Sequence, residues 1–194
     1  MRDPILTAVR LDEITAILHE RLSPPRVLHS LGTSHSAVFL ANRWGCDPGE
    51  ALLAGLLHDI AKEEKPSAQR EIITRSKHWH DPVDDPFPAI WHAVAGAAVA
   101  CEEFGAPETV GWAIALHPTG DAGMTLLEKV IFLSDYIEPT RVWRGVGDLR
   151  DLARRDLEEA VWVAVLKKTA HVKSKRKPLH PRSQRALVEA EKRR

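Results

Sequence analysis

Apolar residues in this chain recur at three- and four-residue intervals and almost never alternate one-to-one with polar ones, a spacing that restricts it to helices. A first amphipathic helix is expected over Leu11 to Arg21, halted by Ser23-Pro24-Pro25, and a second from about Arg26 to Trp44. The second would bury Val27, Leu28, Leu31, Val38, Leu40 and Ala41, with Gly45 as its C-terminal stop. Asp47-Pro48, with Glu50 behind it, supplies an N-cap and a first-turn proline for the helix running into ALLAGLLHDIAK, residues 51–62. A short helix near Ala68 to Arg75 precedes a turn-rich loop, SKHWHDPVDDPFP. An alanine-rich helix from Ala89 to Phe104 then closes at Gly105. Pro107 opens another that ends at His117-Pro118-Thr119-Gly120. Thr125 and Glu128 form a capping box for a helix through Asp135 and Ile137. One long helix over about Asp148 to His171 and a terminal one complete the pattern, so the expected fold is all-α with about eight or nine helices.

At 194 residues the chain has the length of one well-buried domain. No apolar run is long enough for a transmembrane helix, and the N-terminus has acidic residues inside its apolar stretch, unlike a signal peptide. Two cysteines, Cys46 and Cys101, argue against a disulfide framework and for a reducing, cytoplasmic setting. The net charge of zero is unevenly spread. Residues 167–194 hold 11 Lys and Arg against 2 Glu, which leaves 16 basic and 25 acidic side chains on the rest. Such a tail reads first as a solvated terminal helix and second as a surface for nucleic acid or an acidic partner. The expected division is a domain over residues 1–172 and a basic extension over 173–194, forming a terminal helix packed on or beside it.

The chemistry lies in polar residues that interrupt apolar helices. Asp135 sits in VIFLSDYI, where an isolated carboxylate would cost several kcal/mol in desolvation, so it needs a cation: Arg141 or a metal. His92, in AIWHAVAGAAVA, reads alone as a satisfied core histidine. His117 reads alone as a C-terminal histidine on a helix dipole. His29 shares a helix face with Arg26 and Thr33. His58 and Asp59 are adjacent, and adjacent helical positions diverge by about 100°, so both can reach one ion only where the helix ends. Mixed imidazole and carboxylate ligation suits Fe, Mn or Zn better than Ca. His78 and His80 lie in a polar loop without a supporting shell, His35 points to another face than His29, and His19, His171 and His180 read as solvated.

His29, then His58-Asp59, then Asp135 stand in the order of the metal ligands of the HD-domain superfamily of metal-dependent phosphohydrolases. The segments RVLHSLGTSHSAVFLA, LLHDIAK, WHAVAGA, LHPTG and GMTLLEKVIFLSDYIEP, followed by Arg141, resemble the motifs of its YqeK-type branch in the same order. That branch is the symmetrical diadenosine tetraphosphate (Ap4A) hydrolases, and the similarity spans roughly Arg26 to Lys168. It departs at HPTG, where H-[TS]-[ST]-G is commoner and a phosphate-contacting hydroxyl is at stake, and at Ser134, where alanine is usual.

The resemblance implies an HD-domain helical bundle with a divalent metal on His29, His58, Asp59 and Asp135: iron first, with manganese, zinc or magnesium as alternatives. It places substrate contacts on Arg26, Lys62, His92, His117, Thr119, Gly120 and Arg141, and site chemistry adds catalytic roles for Asp59, beside the ion, and Lys62, against developing phosphate charge. The implied reaction is attack of metal-bound hydroxide on Ap4A, giving two ADP. A second ion beside His92 and His117 and a homodimer both stay open. Two rival readings remain. One is an HD phosphohydrolase for a nucleoside monophosphate or dNTP; the other is a nucleotide- or RNA-binding module working through the basic tail. Product analysis separates the first from Ap4A cleavage, and loss of RNA binding on removing residues 173–194 would mark the second.

Overall fold

The computed structural model describes residues 8–77, 79 and 87–192, and those residues form ten α-helices, a single 3₁₀ turn and no strand. The helices are α1 (Ala8–Arg21), α2 (Pro24–Trp44), α3 (Pro48–Leu57), α4 (Pro66–Arg75), α5 (Trp91–Glu102), α6 (Glu108–Leu116), α7 (Leu126–Ile137), α8 (Val146–Arg155), α9 (Leu157–Ser174) and α10 (Pro181–Glu191). The 3₁₀ turn, Pro88–Ile90, leads into α5. The fold is all-α, with one helix more than expected because the stretch taken as continuous over 148–171 is broken. At Asp156 the backbone opens to φ −150°, ψ 102°, and its carboxylate accepts from the Glu159 N–H at 3.0 Å, so one residue ends α8 and caps α9.

Local chemistry sets most of the ends. Asp47 Oδ1 accepts from the N–H groups of Gly49 and Glu50 at 2.8 and 3.0 Å, and Thr125 and Glu128 make the capping box of α7. Gly45 closes α2 at φ +82°. Pro24 and Pro25, expected only to stop α1, form the first turn of α2, where a missing N–H leaves no bond unmade.

Helices α2, α3 and α7 pack together at the centre, with α5 and α6 beside them and α8 to α10 along α7 and α9. Of the stripe expected on α2, Val27, Leu40 and Ala41 are buried, but its two leucines near the N-terminal end are not. Leu28 and Leu31 are 57% and 38% exposed, while His29, Ser30, Thr33 and Ser34 face inward. The cause is close helix approach. A Cβ on Gly55 of α3 would stand 2.5 Å from Ser34 Cα, so only small side chains fit between the two helices.

Helix α10 packs on α9, and Ser183 Oγ donates to Thr119 O at 3.0 Å. Arg185 grips Asp121 through two contacts of 2.8 and 2.6 Å. His180, expected in solvent, is buried and caps α10 by accepting from the Arg182 N–H. His78 and His80 lie outside the described residues, as does much of the loop expected around them. Trp79 is buried edge-on against Trp112. No helix among the described residues is long and apolar enough to cross a membrane.

Candidate active site

Helices α3 and α6 end alike. Each stops one residue before a histidine whose Nδ1 turns back onto the carbonyl three residues earlier: His58 onto Gly55 O at 2.8 Å, His117 onto Ile114 O at 2.7 Å. A carbonyl only accepts, so each Nδ1 carries hydrogen, and a neutral ring then presents a bare Nε2. One bond thus satisfies a carbonyl of the last helical turn and fixes the tautomer.

Those nitrogens converge on Asp59. His58 Nε2 lies 3.1 Å from His29 Nε2 and 3.7 Å from Asp59 Oδ2. His29 Nε2 is 3.8 Å from the same oxygen and 3.2 Å from Asp135 Oδ1. On the other side, Asp59 Oδ1 lies 3.4 Å from His92 Nε2 and 3.6 Å from His117 Nε2. Asp59 therefore stands between two groups of imidazoles, one to each carboxylate oxygen. The end of α3 at Leu57 makes this feasible, because the turns that follow let both His58 and Asp59 face inward.

Cations ring the cluster. Arg26 Nη1 is 3.0 Å from Asp59 Oδ2, and Lys62 Nζ is 3.6 Å from Asp59 Oδ1 and 2.9 Å from His92 Nε2. Arg141 Nη2 is 2.8 Å and Lys168 Nζ 3.6 Å from the Asp135 carboxylate. Burial works to raise both aspartates. His58, His117 and Lys62 outweigh it at Asp59, and His29 and Lys168 do so at Asp135, so both carboxyls are held well below the usual range. Burial lowers His58 to about 4 against the pull of Asp59. Burial and then Lys62 lower His92 well below the ordinary value. At His29 burial is overcome by Asp135, and the pKa rises.

The His58 and His92 rings, held neutral, and the two ionised carboxylates around one point are a set of acceptors in want of a cation. A single proton on His29 Nε2 serves only part of it. Asp59 Oδ1 is buried with no hydrogen-bond partner among the described residues, an omission worth about 1–3 kcal/mol in an apolar interior. A divalent ion held by either group of donors would offset such costs, and the nitrogen and oxygen donors suit a transition metal rather than calcium. The residues fit a metal centre.

The family model for the HD domain matches residues 26–140. A symmetrical bis(5'-nucleosyl)-tetraphosphatase of Bacillus subtilis (strain 168) is 36% identical over 171 residues, 88% of this chain and 91% of the relative. The chain belongs to the HD-domain family. A second protein of the same description, from Halalkalibacterium halodurans, is 35% identical over 166 residues, 85% of this chain and 88% of the relative. A solved structure of a predicted HD superfamily hydrolase involved in NAD metabolism, from Clostridium acetobutylicum, has a TM-score of 0.88 and 35% identity, covering 95% of this chain and 98% of its own.

The HD domain brings His29, His58, Asp59 and Asp135 together with Arg26, Lys62, His92, His117 and Arg141 in one cluster. Of the two cations weighed for Asp135, Arg141 pairs with its Oδ1, and His29 faces the same atom. Thr119 and Gly120 lie just past His117 at the end of α6. Gly120 adopts φ +62° and gives its N–H to Leu116 O, while the buried Thr119 hydroxyl has no partner among the described residues. Three residues of the HD site were not foreseen. Fully buried Glu138 accepts from His29 Nδ1 at 3.1 Å and from both the N–H and the hydroxyl of Thr140. Arg150 clamps the same turn by donating to the carbonyls of Ile137, Glu138 and Arg141. Lys168 rises from α9 to donate to His117 O at 3.1 Å. The signal for Glu138 was the one used for Asp135, a carboxylate in the apolar run SDYIEP. Lys168 likewise interrupts AVLKKTA.

Proposed function

We propose that this protein hydrolyses dinucleoside tetraphosphates, Ap4A above all, symmetrically to two molecules of ADP. The observation that carries the reading is Asp59, a carboxylate shared by two groups of imidazoles and ringed by Arg26 and Lys62, in a chain similar along most of its length to symmetrical tetraphosphatases. His29, His58, Asp59 and Asp135 would hold the metal, proposed to be iron. A divalent ion held there would supply Lewis acidity, lowering the pKa of a water and polarising a phosphoryl oxygen. Lys62 Nζ stands between Asp59 and His92, so a second ion on Asp59, His92 and His117 would require that ammonium to move onto the substrate.

Symmetrical cleavage breaks the central bridging P–O bond. The oxygen of water stays with one ADP, the bridging oxygen leaves with the other, and a proton is released. Asp59 Oδ1, ionised and without a hydrogen bond among the described residues, is the atom placed to accept it. Arg26, Lys62 and Arg141 are close enough to the cluster to meet charge developing on the phosphoryl oxygens. Thr119 and Gly120 are assigned to the phosphate chain beyond them. Nucleic-acid binding through 173–194 is the weaker reading, because Arg185 pairs with Asp121 and Arg182 is buried. We take residues 1–172 as the catalytic domain, 173–194 as an extension docked on it, and the free thiols Cys46 and Cys101 as suited to the cytoplasm.

The test is metal analysis of the purified protein beside an Ap4A assay resolved by chromatography. ADP as sole product supports the reading; AMP with ATP, or release from a monophosphate or dNTP instead, overturns it. Asp59→Ala should lower turnover at least about a thousandfold and leave the helical content intact. A variant that keeps most of its activity would remove Asp59 from the chemistry.

A further inference from the structure

Lys168 differs from the other cations of the site. The side chains of Arg26, Lys62 and Arg141 are 38%, 29% and 37% exposed, whereas that of Lys168 is 19% exposed. It enters from α9, a helix that supplies none of the candidate ligands. An ammonium has three N–H groups, and three kinds of partner surround this one. His117 O accepts at 3.1 Å, Asp135 Oδ2 stands at 3.6 Å, and the rings of Phe132 and Tyr136 lie with centroids at 4.4 and 5.6 Å. Each contact bears on a different part of the cluster. Asp135 turns Oδ1 to His29 Nε2 and Arg141 Nη2, so its two oxygens are divided between separate partners, and Lys168 on Oδ2 opposes rotation of the carboxylate. At His117 the ring Nδ1 is bound to Ile114 O, so ring and main chain are linked. A hold on the His117 carbonyl therefore limits where Nε2 points, 3.6 Å from Asp59 Oδ1.

We propose that Lys168 is a positioning residue: it fixes the Asp135 carboxylate and the His117 main chain relative to each other, and so sets the donor geometry offered to the metal without binding the substrate. The proposal rests on the metal centre of the functional reading and not on the identity of the substrate. Two features carry it. A buried ion pair adds little to stability over apolar groups of the same volume, so an ammonium held among aromatic rings is accounted for by what it orients. Its donors are also directed at protein groups on two other elements, the end of α6 and the last turns of α7. One ammonium thereby links Asp135, beside the donors His29, His58 and Asp59, to His117 in the second group with Asp59 and His92.

Lys168→Met keeps the length and the packing on Phe132 but removes the charge and the donors. Variant and wild type are compared for manganese affinity by competition against a chelator, for pyrophosphate binding by calorimetry at saturating manganese, and for Ap4A kinetics. Manganese affinity should fall about 10–100-fold, the usual cost of losing a group that orients a ligand. With metal saturating, kcat should fall at least about tenfold, while KM and the Kd for pyrophosphate stay within about twofold of wild type. Should Lys168→Met fail to fold, Lys168→Gln, which keeps a donor without the charge, is read on the same scales. A folded variant with wild-type manganese affinity overturns the positioning role. So does a loss of pyrophosphate affinity as large as that of metal, which would make Lys168 a phosphate contact. Wild-type protein that binds manganese but leaves Ap4A intact overturns the Ap4A reading alone, and the metal and pyrophosphate measurements then decide Lys168. Wild-type protein that binds no manganese removes the metal centre, and the proposal falls with it.

Discussion

His29 is held in place by a residue that touches no other candidate ligand. Glu138 Oε1 accepts from His29 Nδ1, and Thr140 satisfies the same carboxylate from the other side, leaving Nε2 aimed at Asp59 and Asp135. The chain makes room for this carboxylate by having no side chain at Gly32, where a Cβ would stand 2.6 Å from Glu138 Oε2. Glu138→Gln keeps the volume and an acceptor oxygen but removes the charge that makes the imidazole a stronger donor to a metal. Metal affinity should fall about 10–100-fold, the usual cost of losing such a support. Competition against a chelator measures it without recourse to activity. Retention of metal at the wild-type level would reduce Glu138 to a packing role. The ligands themselves were legible because each is out of place chemically, as Asp135 is in VIFLSDYI. Glu138 and Lys168 were equally out of place, but their roles depend on which groups face them, and sequence spacing does not give that.

At the scale of the helices, the contact of α2 with α3 fixes where His29 and His58 meet. Glycine inside a helix normally costs about 1 kcal/mol against alanine, so Gly55→Ala would stabilise if propensity decided. Packing decides instead. The added Cβ meets Ser34 Cα, which is backbone and cannot rotate away, so the helices must part. Overpacking of this kind costs about 1–3 kcal/mol and outweighs the propensity gain, so Gly55→Ala should melt below wild type in a thermal or urea titration. Equal or greater stability would show that the two helices have slack. The same contact explains what could be read and what could not. Helix ends were legible where they rest on neighbouring residues, as at Asp47, Gly45 and the Thr125–Glu128 pair. The face that α2 buries was legible only in part: Val27, Leu40 and Ala41 are buried as expected, but spacing alone does not show that Ser30 and Ser34 face α3 while Leu28 and Leu31 turn outward. The break at Asp156 was masked by an apolar period that continues through it, although Asp156 and Glu159 carry a cap signal.

For the whole molecule, burying this cluster makes stability depend on pH and on metal together. His58 has a folded pKa of about 4 against an ordinary 6.5, so in that interval the unfolded chain binds a proton that the folded chain refuses. Stability therefore falls as pH falls from 6.5 to 4, and His92, also lowered by burial, acts in the same direction. His29 acts oppositely. Its raised pKa contributes stability below 6.5 that is lost as pH rises through the folded value. The lowered pKa values of Asp59 and Asp135 contribute above 3.8 and are lost only at more acid pH, outside the interval. Two lowered histidines against one raised give a net loss, with His58 alone worth about 2 kcal/mol between pH 7 and pH 5. Chelator-treated protein should accordingly melt at a lower temperature at pH 5 than at pH 7. Metal binding needs the same rings unprotonated, so the rise in melting temperature on adding metal should be large at pH 7 and shrink toward pH 5. A melting temperature of the chelated protein that stays flat or climbs on acidification would mean that His58 takes up a proton inside the fold, and the bare nitrogen on which the metal centre depends would not be there.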